Sequence, residues 1–575
     1  MHEHPCRRGC GAPRRGPRSG SAPARVLFVI AGTAVLAAGA TAQTPFLPPE
    51  EIPWDEPLPT GPDGDRGRVV WPEGRINSLF ELDQIVAFLD LWQERDPGPD
   101  FGGMIEAEAG PLGDVIQTDN TLEAIQVWSH YTELTGSTEY LDNIADAWVY
   151  CQNWPAWLEE GGDGYYRVHN CAWGLAAESA YRSATGDDSY LDYAATCADY
   201  IVATPLYLSQ YARINAFTEG WAAGNLYLYA EEMGSATWRD AAVAYGQDLL
   251  DWVAYDPPAQ LSAEYWAMSS GTLVWGACNS ILRDDPAAGE QWVEQYGALV
   301  DTFQTWYQVD YYSWDNAWNV AYVNAHFAMG DISGDPVHTG IGEKLTRKLL
   351  SYDTDDDGGI PATTQDPVTE DMSWVTSYLA MFGVARMLGT PPQVDAGILG
   401  FPGFSLEDTL LYPVDGPIPV QAVATNFGLQ PLSGVEVHLT GAASGSATID
   451  LDFVERETVE LHPGWTPPAP GVYQLTAYTI IAGDEESGND SLTVTLHVLD
   501  AASAPPAPVA ARLGRAVPNP ARGRVELRLH QPQGQALQAE VIDVSGRRLA
   551  MWRFPAGGEE RRRIVWRGRD RSGRP

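Results

Sequence analysis

The chain has 575 residues, and 77 acidic against 35 basic residues give it a formal net charge of −42. That length allows several separate cores, and so acidic a surface repels nucleic acids and anionic membranes. The composition therefore argues against a nucleic-acid partner. It suits divalent cations and neutral or cationic ligands, the alternative being an acidic surface that serves solubility alone.

Residues 1–42 have the pattern of an export signal. Several arginines precede an apolar run at Val26–Ala40, which ends in the small-x-small triplet Ala40-Thr41-Ala42. The run is too short for a membrane span and is typical of a cleaved signal peptide. We therefore expect an exported bacterial protein, secreted or at the cell surface, with no membrane span in the mature chain. Residues 43–75 are rich in Pro, Gly and acidic side chains and read as an irregular arm.

A repeat of about fifty residues runs through 76–390. The triplet Tyr-Leu-Asp opens a helical pattern at 140–142 and again at 190–192. Segments that are apolar all round, such as Trp221–Tyr229, alternate with one-sided ones, such as Tyr190–Tyr200. Helices of the first kind belong inside and helices of the second kind outside. The pattern predicts twelve helices in an all-α (α/α)6 toroid.

The inner helices of such a ring are parallel, so their N-terminal ends meet at one face. Positions near those ends follow the fifty-residue repeat and carry titratable side chains, and the helix dipoles there favour carboxylates. Simple helix capping is the alternative interpretation, because Asp and Asn are preferred caps. The candidate catalytic residues are Asp119, His169, Glu219, Asp315 and Asp371.

Aromatic side chains crowd the segments that enter the same face. They offer flat apolar surfaces on which sugar rings can stack, although aromatic packing between helices would also explain them. The candidate substrate-binding residues are Tyr165, Tyr166, Arg167, Trp266, Tyr311, Tyr312, Trp314, Trp318 and Trp374.

Paired carboxylates beside an aromatic platform suit glycoside hydrolysis, in which one carboxyl protonates the leaving oxygen and the other activates water or attacks. In architecture, residues 76–390 resemble the six-hairpin glycosidases and the α/α-toroid polysaccharide lyases. The resemblance implies a polysaccharide or oligosaccharide partner. A lyase would use a Tyr, His or Arg to remove a proton next to a uronate carboxylate, and the candidates are Arg167 and His169 beside Tyr165 and Tyr166. A non-enzymatic glycan-binding or adhesion protein is the alternative.

Alternating carboxylates precede a glycine in Asp353-Thr-Asp355-Asp356-Asp357-Gly358. Oxygens at such spacing resemble the start of a calcium loop, although Thr364 stands where that loop has its bidentate Glu. We expect calcium bound by Asp353, Asp355 and Asp357. A solvated acidic turn, or an acid motif like that of class II terpenoid cyclases, is the alternative.

Four cysteines follow the leader, all within apolar helical patterns: Cys151, Cys171, Cys197 and Cys278. An exported protein can pair its cysteines, but no short-spaced pair is present. We predict buried free thiols.

Strand patterns of period two replace the helices at 391–500, for example at Val420–Thr425 and Tyr473–Ile480. Gly and Pro clusters separate them, which is typical of a β-sandwich. The stretch from Val420 through Asn426-Phe427-Gly428 to Val437 resembles the CARDB-like immunoglobulin fold related to bacterial cell adhesion.

The linker 501–511 is rich in Pro and Ala and separates a last module at 512–575. This module has Pro518-Asn519-Pro520, Asp543–Arg547 and Trp566–Asp570, and it resembles the hook-capping-protein-like (FlgD-like) immunoglobulin module. Such modules act as type IX secretion sorting signals, which implies secretion or cell-surface machinery as a partner. We expect a partial module, because the chain stops before the final strand pair. The predicted fold is thus a toroid followed by two β-sandwich (immunoglobulin-like) modules.

Overall fold

The structure is a computed structural model of the chain. The leader, the arm as far as residue 74 and the linker 501–511 lie outside the residues that it describes. The described residues are 75–108, 112–113, 115–158, 164–204, 215–253, 263–297, 315–353, 357–362, 371–404, 409–411, 417–499 and the backbone of the strands within 512–566.

The first part of the described chain is helical. Its helices are α1 Ser78–Leu91, α2 Thr118–Thr135, α3 Leu141–Asn153, α4 Gly164–Thr185, α5 Leu191–Ala203, α6 Asn215–Met233, α7 Ala236–Val253, α8 Ala263–Cys278, α9 Pro286–Tyr296, α10 Asp315–Ser333, α11 Pro336–Leu350 and α12, which consists of Ser373–Leu379, a π-helical turn Ala380–Val384 and a last α-turn Ala385–Leu388. A helical turn, Ile281–Asp284, precedes α9, and the short strands β1 Met104–Ile105 and β2 Ile116–Gln117 lie between α1 and α2.

The even-numbered helices form a closed ring. They pack on one another in the order α2, α4, α6, α8, α10 and α12, and α12 packs back on α2. The odd-numbered helices α3, α5, α7, α9 and α11 pack on the ring from outside, each against an inner neighbour, and α1 covers α2 and α12. The predicted ring of inner and outer helices is therefore present. The ring forms for the predicted reason: helices that are apolar all round are stable only when other helices surround them.

Aromatic side chains fill the middle of the ring. Trp173 of α4 lies 4.9 Å from Trp221 of α6, measured between ring centroids, and Trp221 lies 4.7 Å from Trp275 of α8. The π-helical turn of α12 adds Phe382, whose ring stacks on that of Trp221 at 5.2 Å. This aromatic core lies a few turns beyond the N-terminal ends of the inner helices, so it forms a floor beneath them.

All four cysteines of the helical part are buried free thiols, as predicted. Burial raises the pKa of the Cys171 thiol, to which the neighbouring Cys197 also contributes. The Cys171 thiol is therefore protonated at neutral pH, and both cysteines pack as small apolar core groups.

A two-sheet β domain follows the ring. Its strands are β3 Ala396–Gly400, β4 Thr409–Leu411, β5 Ile418–Asn426, β6 Leu432–Gly441, β7 Gly445–Leu451, β8 Arg456–Trp465, β9 Gly471–Ile480 and β10 Ser491–Val498. One sheet has the order β4-β10-β9-β6-β7, with β4 and β10 parallel, and the other has the order β3-β5-β8. Buried and exposed positions alternate along β9, as the sequence pattern predicts for a sheet with one solvated face.

By density of contacts the chain forms two compact units. The larger holds the ring with Val420–His462 and Leu475–Val494, and the smaller holds Glu407–Pro419, Pro463–Gln474 and Thr495–Pro575. Within the larger unit α1 contacts the β domain directly. The Arg456 guanidinium lies 3.1 Å above the centroid of the Phe80 ring and forms an ion pair with Glu81 at 3.2 Å.

The described backbone beyond 511 is made of strands: β11 Arg512–Leu513, β12 Val525–Gln531, β13 Leu537–Ile542, β14 Arg548–Phe554 and β15 Glu560–Trp566. They form an antiparallel sheet β11-β12-β15 and a separate pair β13-β14. The Pro518-Asn519-Pro520 and Asp543–Arg547 motifs lie outside the described residues. The immunoglobulin-like identity of the modules and the sorting role of the last one stay predictions. No helix in the described ranges is long and apolar enough to span a membrane.

Candidate active site

A backbone seam runs across the N-terminal ends of the inner helices. β1 pairs with β2 just before α2, and Ala107 pairs with Met372 just before α12. The Ser373 N–H donates to the Glu106 carbonyl at 3.0 Å, and the Glu108 N–H donates to the Asp371 carbonyl at 3.1 Å. The seam thereby brings the approaches to the first and last inner helices together at one face.

Asp119 lies at the first turn of α2 and accepts several hydrogen bonds. The backbone N–H of Asn120 donates to its Oδ1 at 3.0 Å, and the Tyr166 hydroxyl, which it shares with Gln117 Oε1, lies 2.9 Å from its Oδ2. His169 Nδ1 lies 3.6 Å from the same Oδ2. The side chain of Asp119 is only 8% exposed. Two of the residues that the fifty-residue repeat singles out, Asp119 and His169, therefore lie side by side.

The His169 ring is enclosed by other rings. It stacks between Tyr166 and Phe217, with centroid distances of 5.9 and 5.4 Å, and Trp173 Nε1 donates to its Nε2 at 3.2 Å. Burial lowers the pKa of His169, although the Asp119 charge acts in the opposite direction. The imidazole is therefore neutral at neutral pH.

Two glutamates that the sequence reasoning missed flank Asp119. Glu106 and Glu123 are completely buried, and burial raises the pKa of each carboxyl well above 4.5. The charge of Asp119 raises both pKa values further. Burial therefore favours the protonated form of both side chains. One sequence signal was available for Glu123, since it lies four residues after Asp119, on the same side of a helix whose neighbouring positions are apolar.

Glu219 and Asp371 are both buried near the starts of their helices, α6 and α12. A side chain at Gly359 would come within 2.9 Å of Asp371 Oδ2, so this carboxylate packs against the glycine backbone. The Asp315 side chain lies outside the described residues, although α10 begins there.

The substrate-binding candidates divide into three groups. Tyr166 is half-buried and contacts Asp119, and Arg167, the next residue of α4, is half-buried too. Trp374 is buried, and its ring meets that of Tyr378 edge-on at 5.5 Å, so it packs in the aromatic core. The side chains that the structure leaves undescribed are those of Tyr165, Trp266, Tyr311, Tyr312, Trp314 and Trp318.

The acidic segment after α11 folds as a turn. The buried Asp353 carboxylate accepts from the backbone N–H of Asp357 at 3.3 Å and of Gly358 at 3.1 Å. Asp355 lies outside the described residues. Asp357 instead joins Glu108 and Asp371, and one carboxylate oxygen from each of these three lies within 4.8 Å of the others. The described site therefore offers a different set of cation ligands from the one that the sequence suggested.

No protein-family model matches the chain, and no curated protein matches it. Among solved structures, the chain is similar to the CARDB domain of a Pyrococcus furiosus protein in complex with di-metal ions (16% identity over 19% of this chain and 90% of that one, TM-score 0.15). It is also similar to an unsaturated glucuronyl hydrolase specific for heparin (12% identity, 54% of this chain and 96% of that one, TM-score 0.38). A third similarity is to a family 76 α-mannanase from Bacteroides thetaiotaomicron (12% identity, 53% and 95%, TM-score 0.40). Activity therefore has to be inferred from the side chains of the site.

Proposed function

We propose that this protein is a secreted glycoside hydrolase that acts on a polysaccharide or oligosaccharide at the N-terminal face of the helical ring. One observation carries the proposal. The Asp119 carboxylate receives hydrogen bonds from Tyr166 and a backbone N–H beside a neutral His169, and behind it lie two buried glutamates whose pKa values are raised. A cluster of carboxyl groups whose environments hold them in different protonation states is typical of acid–base catalysis.

Asp119 is the group of this cluster that can act as base or nucleophile. It lies in the first turn of α2, and hydrogen bonds from Tyr166 and from a backbone N–H orient its two oxygens. The partner carboxyl that protonates the leaving oxygen comes from the same face of the ring. The candidates are Glu219, buried near the start of α6, and Asp315, with which α10 begins.

The charges of the site favour hydrolysis over elimination. A lyase must bind a uronate carboxylate and neutralise it, usually with cationic groups. Glu108, Asp357 and Asp371 instead form an acidic group beside the seam at this face. Such a face repels polyanions and accepts neutral or cationic glycans.

The test is to incubate the purified full chain with neutral glycans, amino-sugar polymers and uronate polymers. We expect new reducing ends from a neutral or amino-sugar glycan, with no ultraviolet absorbance from unsaturated uronates. Unsaturated products would identify a lyase instead. Tight binding of a glycan without any turnover would identify a binding or adhesion protein.

Calcium is a separate part of the proposal, at Glu108, Asp357 and Asp371 rather than at Asp353. A ligand that binds the folded state stabilises it by about 2.7 kcal/mol at one hundred times its Kd. A calcium chelator should therefore lower the melting temperature of the wild type by several degrees and leave that of Asp357→Asn nearly unchanged. Equal melting temperatures of the wild type with and without chelator would remove calcium from the proposal.

A further inference from the structure

Trp173 and His169 form a hydrogen bond whose direction is set by chemistry. Trp173 Nε1 lies 3.2 Å from His169 Nε2, and both residues are buried. An indole N–H can only donate, so the imidazole nitrogen that faces it has to accept. His169 Nε2 therefore carries no proton.

The other imidazole nitrogen faces oxygens. Asp119 Oδ2 lies 3.6 Å and Asn170 Oδ1 lies 3.4 Å from His169 Nδ1. Both oxygens are acceptors, so the single proton of the neutral ring belongs on Nδ1. The Nδ1–H then points toward the carboxylate of Asp119.

The tryptophan is held firmly in this orientation. Its ring packs 4.9 Å from Trp221, 5.1 Å from Tyr378 and 6.1 Å from Phe382, all within the aromatic core. Interiors packed in this way leave a buried side chain little freedom. Because the N–H lies in the plane of the indole, the packing that fixes the Trp173 ring also fixes the direction of its N–H.

We propose that Trp173 is a positioning residue, which locks His169 as the neutral Nδ1–H tautomer so that the imidazole donates to Asp119; the catalytic part of this inference rests on the proposed hydrolase function. A second proton on Nε2 would place two N–H groups against each other. A neutral donor orients the Asp119 carboxylate without forming a full ion pair with it.

The groups around His169 determine its protonation once the lock is removed. Asp119 faces the ring from α2 with Glu106 and Glu123 behind it, Tyr166 and Phe217 cover its two faces, and Arg167 precedes it on α4. Without the indole N–H, Nε2 becomes free to take up a proton, and the negative charge of Asp119 favours that step.

Trp173→Phe tests the lock, and Trp221→Phe is its matched control. Trp221 is an equally buried tryptophan of the same core, and its indole nitrogen has no hydrogen-bond partner among the described residues.

The full chain is labelled with ¹⁵N-histidine, and the His169 resonances are assigned by their loss in His169→Gln. In the wild type and in Trp221→Phe we expect a protonated Nδ1 and an unprotonated Nε2 from about pH 5 to about pH 8. In Trp173→Phe we expect mixed tautomers at high pH and an imidazolium at the acid end of this range.

Activity is measured separately. In Trp173→Phe, kcat/KM should fall by roughly tenfold or more between about pH 8 and about pH 5, relative to Trp221→Phe, because most of His169 is then charged. Two results would contradict the proposed role of Trp173, whatever the activity. One is wild-type His169 protonated on Nε2, and the other is an unchanged tautomer in Trp173→Phe. If the tautomers are as expected but the protein turns over no glycan, the hydrolase proposal is wrong and the role of Trp173 in fixing the His169 tautomer still holds.

Discussion

Asp119→Asn should lower kcat/KM by about 10³-fold, a loss typical of removing a general base. Asparagine has nearly the same shape as aspartate, and its oxygen can still accept from the Asn120 N–H or from Tyr166. The substitution removes the negative charge and the ability to take a proton. The measurement is steady-state kinetics on the glycan that the wild type cleaves, together with a melting curve that shows an intact fold.

Asp83→Asn is the matched control. The Asp83 Oδ1 accepts the hydroxyl of Tyr131 at 2.5 Å, as Asp119 accepts that of Tyr166, but Asp83 lies on the outer helix α1. We expect it to keep kcat/KM within about twofold of the wild type, since it does not touch the site. Equal losses in the two variants, or an Asp119→Asn variant with wild-type turnover, would contradict the assignment of Asp119.

Glu123→Gln should make the protein more stable at neutral pH. Below pH 4.5, the ordinary value, Glu123 is protonated in both the folded and the unfolded chain. Because burial raises its pKa in the folded chain, the unfolded chain loses the proton first as the pH rises. The free energy of unfolding then falls by about 1.4 kcal/mol per pH unit until the folded pKa is reached. Glutamine resembles the protonated acid at every pH and escapes this loss.

The measurement is denaturant unfolding of the wild type and Glu123→Gln at several pH values from about 4 to about 8. The stability difference should be small at the acid end and should grow with pH. Glu178→Gln is the control, because Glu178 is also completely buried but pairs with Arg182 at 2.8 Å and accepts from the Tyr229 hydroxyl. Removing its charge should destabilise the protein. A Glu123→Gln variant less stable than the wild type at neutral pH would show that the glutamate is charged.

We expect Glu123→Gln to stabilise the protein and Glu178→Gln to destabilise it, and this difference bears on function. A buried group that lowers stability at working pH is usually retained because the site needs it. Glu123 and Glu106 meet that description. Burial is the largest cause of their pKa shifts, and the other contributions come from carboxyl groups and from Tyr378.

Much of the architecture could be read from periodicity. The alternation of all-round apolar and one-sided segments is a local property, and it led to the ring of inner and outer helices. The same repeat placed Asp119 and His169 together, because residues at equivalent positions of neighbouring inner helices meet at one face. Free thiols were predicted from the absence of short-spaced pairs, and all four are free.

What the sequence did not reveal depends on contacts between distant segments. Glu106 lies in an irregular stretch between β1 and β2, and only its pairing with the residues before α12 brings it to Asp119. Asp353 looked like a cation ligand because its spacing matches a calcium loop. In the fold its carboxylate holds the backbone of Gly358 instead, while Glu108 arrives from the other side of the seam. Spacing along the chain contains no information about such partners.

The seam also determines at which stage of folding the candidate site is complete. Ser373 and Glu106, whose hydrogen bond helps to close the ring, are 267 residues apart in the chain. Contacts of such long range form late, after the intervening helices have been made and packed. A nascent chain that has not yet produced α12 holds Asp119 and His169 on adjacent helices but lacks the part of the aromatic floor that α12 supplies, including Phe382. The site of the proposed hydrolase is thus complete only after ring closure, and a truncation before α12 should yield folded hairpins that cannot turn over a glycan.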